Sequence, residues 1–192
     1  MNMSLSPKQK NYLLTLARKT ITDYFSEGGK VKIDAKEIDG DLLKPAATFV
    51  TLTKSDELRG CIGNLIAKKP LYQDIINNSL LAAFSDNRFP QVKKEELTEI
   101  KIEISILTRP KPYRYDNIDS LLKSIEPKNH GVIIQNGFFQ ATYLPQVWDD
   151  LPDKIEFLES LCQKAGLPKN AWKDPETEIF YYSAEKFREP DK

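Results

Sequence analysis

The sequence predicts an α+β fold, in which a largely antiparallel sheet is flanked by helices. Residues 100–108 alternate between isoleucine and polar side chains, which is typical of a half-buried strand. Other β-rich segments occur in pairs separated by turn residues. Amphipathic helical segments fall between these pairs without regular βαβ alternation, and this arrangement is typical of the α+β class.

Four helices are predicted from capping residues and apolar spacing. The first begins after Ser6, because Pro7 suits the first helical position and Gln9 can reach back to the Ser6 N–H. Gly28-Gly29 tolerate a left-handed conformation and are predicted to end it. The other predicted helices run from Pro70 to about position 84, around Ile118–Ile125, and from Asp153 to Gly166.

Strands are predicted in two hairpins and two single segments. The polar residues Lys54–Glu57 form the first hairpin turn, and Asn136-Gly137 form the second because they tolerate positive φ angles. The predicted strands are Ala47–Thr53, Leu58–Ile62, Ile100–Thr108, Val132–Gln135, Phe138–Tyr143 and Glu178–Ser183.

Length and charge exclude several classes of protein. The chain has 192 residues, with 28 Lys and Arg against 28 Asp and Glu, so its formal net charge is zero. It therefore lacks the positive charge with which a general duplex-DNA binder neutralises phosphates.

We predict one domain over residues 1–192. Without a signal peptide or a long apolar segment, we expect a cytoplasmic protein with no membrane attachment.

The most unusual segment is Arg59-Gly60-Cys61-Ile62-Gly63. Its two glycines permit a sharp bend with approachable backbone N–H groups, which suits a displayed thiol or a small anion-binding nest. In an extended strand, Arg59 and Cys61 would share a face about 6.6 Å apart, and a guanidinium that close favours a thiolate. Alternatively, Cys61 is a small apolar residue, the glycines serve a bend or close packing, and Arg59 pairs with Asp56 or Glu57.

Cys162 and His130 are the other residues with nucleophilic or acid–base chemistry. Cys162 lies on the apolar face of a predicted helix, which indicates a buried structural thiol. His130 is the only histidine and precedes a predicted strand, so it is the candidate general base for Cys61. The alternative for His130 is a solvated or hydrogen-bonded side chain at a loop junction.

Two further groups of residues are candidates for binding. Asp86, Arg88 and Phe89 form either an arginine–carboxylate clamp at a helix end or a site for a small anionic ligand. Lys111-Pro112-Tyr113-Arg114-Tyr115 interleaves basic and aromatic residues, as in a single-stranded nucleic-acid surface or in a solvated loop.

The sequence lacks several well-defined cofactor motifs. It contains no P-loop, no dinucleotide-binding fingerprint and no Cys or His pair at metal-ligand spacing. One histidine and two distant cysteines do not supply the usual ligands of a structural zinc site. We therefore predict no metal and no cofactor in this chain.

Four sequence blocks resemble the AMMECR-one domain family in order and spacing: Leu58–Gly63, Phe84–Pro90, Leu144–Trp148 and Lys164–Pro168. The resemblance extends from the first helix to the last strand. It implies an α+β fold of a larger and a smaller lobe, the smaller one inserted, with the first block near the cleft between them. The family's motif residues fall on Arg59, Gly60, Cys61, Gly63, Asp86, Arg88, Phe89, Pro145 and Gln146.

The resemblance implies partners rather than a defined reaction. Bacterial and archaeal relatives are associated with a Memo-like protein and a radical-SAM enzyme, which indicates a shared modification pathway. This chain has no C-x-x-x-C-x-x-C motif, so iron–sulfur chemistry would belong to a partner. Asn64, Asn87 and His130 depart from the family pattern. The family often has Asp at the position of His130. A Cys61–Arg59 pair is therefore a better candidate for chemistry shared by the family than a Cys61–His130 pair.

Three functions follow as hypotheses. The first is a cytoplasmic enzyme or enzyme component that presents Cys61, activated by Arg59, in a site shaped by Asp86 and Arg88. The second is a non-catalytic module that docks a protein through the Arg59–Gly63 bend and neighbouring aromatic side chains. The third is a single-stranded RNA binder that uses the Lys111–Tyr115 segment.

Overall fold

The computed structural model describes residues 5–27 and 38–190 and confirms the α+β class. The helices are α1 (Pro7–Glu27), α2 (Leu71–Phe84), α3 (Ile118–Ser124) and α4 (Lys154–Lys164). The strands are β1 (Pro45–Lys54), β2 (Glu57–Gly63), β3 (Lys69–Pro70), β4 (Ile100–Leu107), β5 (Lys111–Pro112), β6 (Gly131–Asn136), β7 (Phe139–Tyr143), β8 (Glu178–Tyr182) and β9 (Ala184–Arg188). Among the described residues, no helix combines the length and apolar character needed to span a membrane.

The chain divides into two compact units, each with its own sheet and core. The first unit comprises residues 1–107 and 185–192, and the second comprises residues 108–184. A five-stranded sheet has the order β2-β1-β4-β9, with β3 paired to β1 beside this path. A four-stranded sheet has the order β5-β8-β6-β7.

The core of the first unit lies between its sheet and two helices. Strands β1 and β4 pair in antiparallel register from Ala47 opposite Leu107 to Lys54 opposite Ile100. Helix α2 packs on β1 and β2, and α1 packs on α2. The isoleucines of β4 are buried in this core, as the alternating pattern predicts. Removing their apolar area from water stabilises the unit.

Helix α1 begins as the capping pattern predicts. The Gln9 side-chain oxygen accepts from the Ser6 N–H at 2.8 Å, and the Gln9 N–H donates to the Ser6 hydroxyl at 3.3 Å. The glycines predicted to end this helix, Gly28-Gly29, lie outside the described residues.

The β1–β2 hairpin contains a register shift next to Arg59. Ser55 and Asp56 form its two-residue turn with φ angles of 53° and 63°, as in a type I′ turn. The pairing shifts between Leu52 and Thr53, which leaves Arg59 without a partner on β1. An extra residue of this kind is a β-bulge, and it changes the direction of the side chains beside it.

The core of the second unit is rich in large aromatic side chains. Trp148 is fully buried and stacks on Phe157 with ring centroids 3.6 Å apart. Helix α4 begins at Asp153, which accepts from two backbone N–H groups, and it ends before Gly166 at φ 81°. Both ends of α4 therefore confirm the prediction.

The structure differs from the predicted strands at the second hairpin and after the last predicted strand. Gly137 and Phe138, not Asn136-Gly137, form the β6–β7 turn, because Asn136 pairs with Phe139 across it. Gly137 is the only residue of this turn with a positive φ angle, 57°, so the turn requires glycine at one position only. Strand β9 was not predicted, because Ala184–Arg188 carries three charged residues and has no apolar alternation.

Candidate functional site

Cys61 lies on β2, which forms one edge of the five-stranded sheet. It pairs with Thr51 of β1, and its sulfur lies 3.2 Å from the Thr51 hydroxyl oxygen. The side chain is half-buried. A thiol in this position is held by a neighbouring polar group and is still partly accessible to solvent.

Asp86 links the end of α2 to the backbone of Cys61. Its carboxylate accepts from the Cys61 N–H at 2.9 Å and from the Arg88 backbone N–H at 3.2 Å. It also accepts from Arg88 Nε at 2.9 Å and from Arg88 Nη2 at 2.7 Å. The hydrogen bonds from Arg88 hold the pKa of Asp86 at about 2, although burial of the carboxylate opposes this shift.

Arg88 contacts the carbonyl group of Cys61. Its Nη2 donates to the Cys61 carbonyl oxygen at 3.1 Å, and about half of its side-chain surface is exposed. The pKa of Arg88 is raised, mainly by its hydrogen bonds to Asp86 and also by the nearby Cys61. The Phe89 ring lies 5.4 Å from this guanidinium, a distance typical of a cation–π contact.

Asp86 and Arg88 together replace a neighbouring strand at Cys61. The carboxylate accepts the Cys61 N–H as a strand carbonyl would, and the guanidinium donates to the Cys61 carbonyl as a strand N–H would. Edge strands with free backbone groups tend to pair with other chains. The Asp86 and Arg88 side chains occupy the backbone groups of Cys61 and so hinder such pairing there. Because the Cys61 N–H is bonded to Asp86, it is not available to the predicted anion-binding nest.

The expectation that Arg59 activates Cys61 is not supported by the position of the Arg59 side chain. Its guanidinium donates twice to Glu96, through Nε and Nη2 at 3.0 Å each, and to the Pro90 carbonyl at 2.8 Å. The bulge at Arg59 breaks the strand alternation on which the prediction rested. Neither Asp56 nor Glu57, the alternative partners, makes these bonds; the partner is Glu96. Its pKa falls to about 2, chiefly because of Arg59.

Gly60 and Gly63 serve close packing within a strand rather than a bend. A Cβ on Gly60 would lie 2.2 Å from the Ala82 carbonyl oxygen of α2. A Cβ on Gly63 would lie 2.3 Å from both the Phe49 ring and the Thr48 carbonyl oxygen. Because real side chains do not come that close, both positions need glycine, which confirms the packing alternative.

A buried polar network lies beside β2, and sequence reasoning missed it. Asp74 of α2 is 2% exposed and accepts from Thr48, Asn64 and Asn78 at 2.7, 2.8 and 3.1 Å. Burial raises the pKa of Asp74. The sequence signal of this network is the polar pair Asp74 and Asn78, four residues apart among the apolar positions of α2.

Cys162 contrasts with Cys61. It is fully buried among the apolar side chains of the second core, as predicted, and burial raises the pKa of its thiol. The two cysteines of this chain therefore differ in accessibility, and Cys162 is an inert internal reference for the chemistry of Cys61.

His130 has its partners in the second unit. Its Nδ1 lies 2.7 Å from the Tyr113 hydroxyl oxygen, and its ring contacts Tyr181 with centroids 4.6 Å apart. Its Nε2 lies 3.8 Å from a Glu126 carboxylate oxygen. The Cys–His dyad with Cys61 stays a prediction.

The remaining predicted residues also lie in the second unit. Pro145 and Gln146 open a short 3-10 helix and are half-buried, and their role in ligand binding stays a prediction. Trp148 belongs to the core, where its indole N–H donates to the His130 carbonyl oxygen at 2.7 Å, so it is not a surface aromatic for docking. Tyr113 is 9% exposed and Tyr115 is half-buried against the same core, and the single-stranded RNA role of the Lys111–Tyr115 segment stays a prediction.

The fold and the site define a class of protein: an α+β protein whose edge strand presents a cysteine held by an aspartate–arginine pair. Gly60, Cys61, Asp86, Arg88 and Phe89 come together in it. The AMMECR1 (AMMECR-one) family model matches residues 14–187, which is most of the chain. The chain belongs to this family.

Relatives of known sequence and structure agree with this membership. A protein of Methanopyrus kandleri is 40% identical over 199 aligned positions, covering 100% of this chain and 93% of the relative. A protein of Nanoarchaeum equitans is 39% identical, covering 92% of this chain and 98% of the relative. The crystal structure of an uncharacterised protein from Pyrococcus horikoshii has a TM-score of 0.90 at 32% identity, with coverage of 96% and 93%.

Proposed function

We propose that this protein is a cytoplasmic enzyme or enzyme component whose working group is the thiol of Cys61. The main support is that Asp86 binds the Cys61 N–H and the Arg88 guanidinium at once, which holds a cation against the backbone of a residue whose thiol is partly exposed. Reactive cysteines are accessible and lie near a cation, and Arg88 is the candidate cation at Cys61.

Each residue of the site has a distinct role in the proposal. Cys61 supplies the sulfur, as a nucleophile or as a ligand for a substrate. Arg88 favours the thiolate and, because half of it is exposed, can also contact an anionic group of a substrate. Asp86 is a positioning residue, since it touches both of the others. Arg59 has a structural role through Glu96.

The resemblance to relatives favours action together with other proteins. We propose that a Memo-like protein and a radical-SAM enzyme act in the same modification pathway, and that any iron–sulfur chemistry belongs to the latter. The thiol would then present or receive a group within that pathway.

Replacement of Cys61 tests this proposal in a strain that depends on its own member of the family. Cys61→Ala and Cys61→Ser are expected to abolish complementation, because neither an alanine nor a weakly acidic hydroxyl replaces a thiolate. Cys162→Ala is the matched control and is expected to complement. Circular dichroism spectra of the purified variants establish that they fold. If both Cys61 variants complement fully, the thiol is not the working group.

A protein-docking module is the second candidate. It is favoured by Leu58 and Ile66, which flank the Cys61 segment and are 45% and 65% exposed. On this alternative, Leu58→Glu weakens capture of a purified Memo-like protein by about tenfold, roughly 1.4 kcal/mol. Ile155→Glu, at a position 42% exposed in the second unit, is the control. Equal capture by wild type and Leu58→Glu would reject docking at this surface.

A further inference from the structure

The second unit contains a cavity that the proposed function does not use. Its volume is about 570 Å³, and its lining includes Lys111, Tyr113, Arg114, Glu126, His130 and Tyr181. Small-molecule sites in proteins commonly enclose 300–1,000 Å³. The lining contains the only histidine of the sequence and most of the Lys111–Tyr115 segment.

The hydrogen bonds of His130 determine which ring nitrogen carries the proton. The Glu126 backbone N–H, which can only donate, lies 3.3 Å from Nδ1, and the Tyr113 hydroxyl 2.7 Å away can donate to the same nitrogen. We therefore infer that the neutral ring carries its proton on Nε2. Burial lowers the pKa of His130, which favours this neutral form near pH 7. Nε2 lies 3.8 Å from a Glu126 carboxylate oxygen, which is too far for a hydrogen bond, and it has no other polar partner within residues 5–27 and 38–190. Its N–H can therefore donate to a ligand.

The charges around the cavity favour an anion. Lys111 and Arg114 are exposed, and neither makes a salt bridge with a carboxylate in the described part of the chain. Glu126 is the one carboxylate among the lining residues, and His130 is neutral, so the lining has a net charge of about +1. An arginine and a lysine together are well suited to a phosphate group.

The wall of the cavity is aromatic. The Tyr113 and Tyr181 rings lie 4.7 Å apart, and the His130 ring lies 4.6 Å from Tyr181. A planar ligand ring can pack on such a surface, while the Glu126 carboxylate can accept from its amino or hydroxyl groups.

We propose that this cavity binds a small molecule with a phosphate group and a planar aromatic ring, such as a nucleoside monophosphate. Lys111 and Arg114 contact the phosphate, the Tyr113–Tyr181–His130 cluster contacts the ring, and His130 Nε2–H donates a hydrogen bond. The cavity lining shares no residue with the Cys61 site, so each proposal can fail without the other.

Nuclear magnetic resonance of the His130 ring nitrogens tests the proposal. Because the chain has one histidine, its ring signals need no assignment. The full-length protein is titrated separately with adenosine 5′-monophosphate, inorganic phosphate and adenosine. We expect saturable shifts with the monophosphate, and a dissociation constant at least about tenfold lower than for phosphate or adenosine alone.

Charge-removing variants locate the phosphate. Arg114→Gln and Lys111→Gln are each expected to weaken monophosphate binding by about fivefold or more. Lys169→Gln, an exposed lysine of the same unit outside the cavity lining, is expected to bind like wild type.

Three results would overturn the proposal. The first is no saturable shift up to about 10 mM monophosphate, since that affinity is negligible. The second is phosphate binding as tight as monophosphate binding, which would mean that the aromatic wall contributes nothing. The third is a single-stranded RNA oligonucleotide that binds about 100-fold more tightly than the monophosphate, which would make the cavity part of a nucleic-acid surface.

Discussion

Asp86 is the residue on which the geometry of the Cys61 site depends. It is 5% exposed and accepts four hydrogen bonds, three from Arg88 and one from Cys61. An amide at this position has one accepting oxygen, so its NH₂ group would face donors. Loss of this carboxylate therefore affects the position of both Arg88 and the Cys61 backbone.

Asp86→Asn is expected to destabilise the protein by about 2 kcal/mol, because donors to the carboxylate lose their acceptor. The pKa of Asp86 is about 2 in the folded protein and about 3.8 otherwise. The unfolded chain thus takes up the proton first, and the stabilisation is present above pH 3.8 and is lost as the pH falls towards 2. Urea unfolding of the wild type and of Asp86→Asn between pH 2 and 5 measures the free energy of unfolding and its dependence on pH.

Asp116→Asn is the matched control, since Asp116 is exposed. It is expected to change the free energy of unfolding by less than about 0.5 kcal/mol. An Asp86→Asn variant with wild-type stability at pH 5 would contradict the role of Asp86. So would a pH dependence below pH 4 that is unchanged by this variant.

At the scale of elements, glycine lets α2 pack closely on β2. Gly60→Ala would place a methyl group 2.2 Å from the Ala82 carbonyl, so helix and strand must separate. We expect a loss of about 2 kcal/mol or more in the free energy of unfolding, measured with urea. Gly40→Ala, where nothing lies within 4 Å, is the control and is expected to be neutral or slightly stabilising. Equal stabilities of the two variants would contradict this packing.

Most elements of the fold could be predicted because their signals are local. Helix α4 has a capping aspartate, an apolar face and a terminal glycine within one short segment. Strand β4 shows strict alternation. Strand β9 lacks any apolar periodicity of its own, because its place in the sheet comes from pairing with β4. Such pairing is a property of the tertiary structure.

The candidate site could be predicted only in part. The sequence predicts Cys61, Asp86 and Arg88 as motif residues, but it favours Arg59 as the arginine near Cys61, whereas Arg88 contacts the Cys61 backbone. A single unpaired residue in β2 redirects Arg59 towards Glu96, and sequence periodicity does not reveal a bulge. The Asp74 network escaped prediction for a related reason: a polar residue on a helix is expected in solvent until its packing against β1 is known.

At the scale of the whole molecule, the balanced charge controls solubility. The formal net charge is zero at pH 7 and the isoelectric point is about 6.6. Repulsion between copies is weakest there, so we expect a solubility minimum between about pH 6 and 7 and higher solubility at pH 8.5. Precipitation with polyethylene glycol across this range measures the effect. A solubility that falls steadily from pH 6.5 to pH 8.5 would contradict it.

In the proposed function, Arg88, held by Asp86, makes Cys61 a reactive and accessible thiol. The most direct test is the rate of alkylation by iodoacetamide against pH, with Cys162 measured by mass spectrometry in the same digest. We predict fast modification of Cys61, with a midpoint below the value of about 8.5 for a free thiol, and slow modification of Cys162. Arg88→Gln is predicted to raise the midpoint by about 1 pH unit, and Arg59→Gln to leave it unchanged. A Cys61 as slow as Cys162, or a midpoint that Arg88→Gln does not move, would contradict the claim.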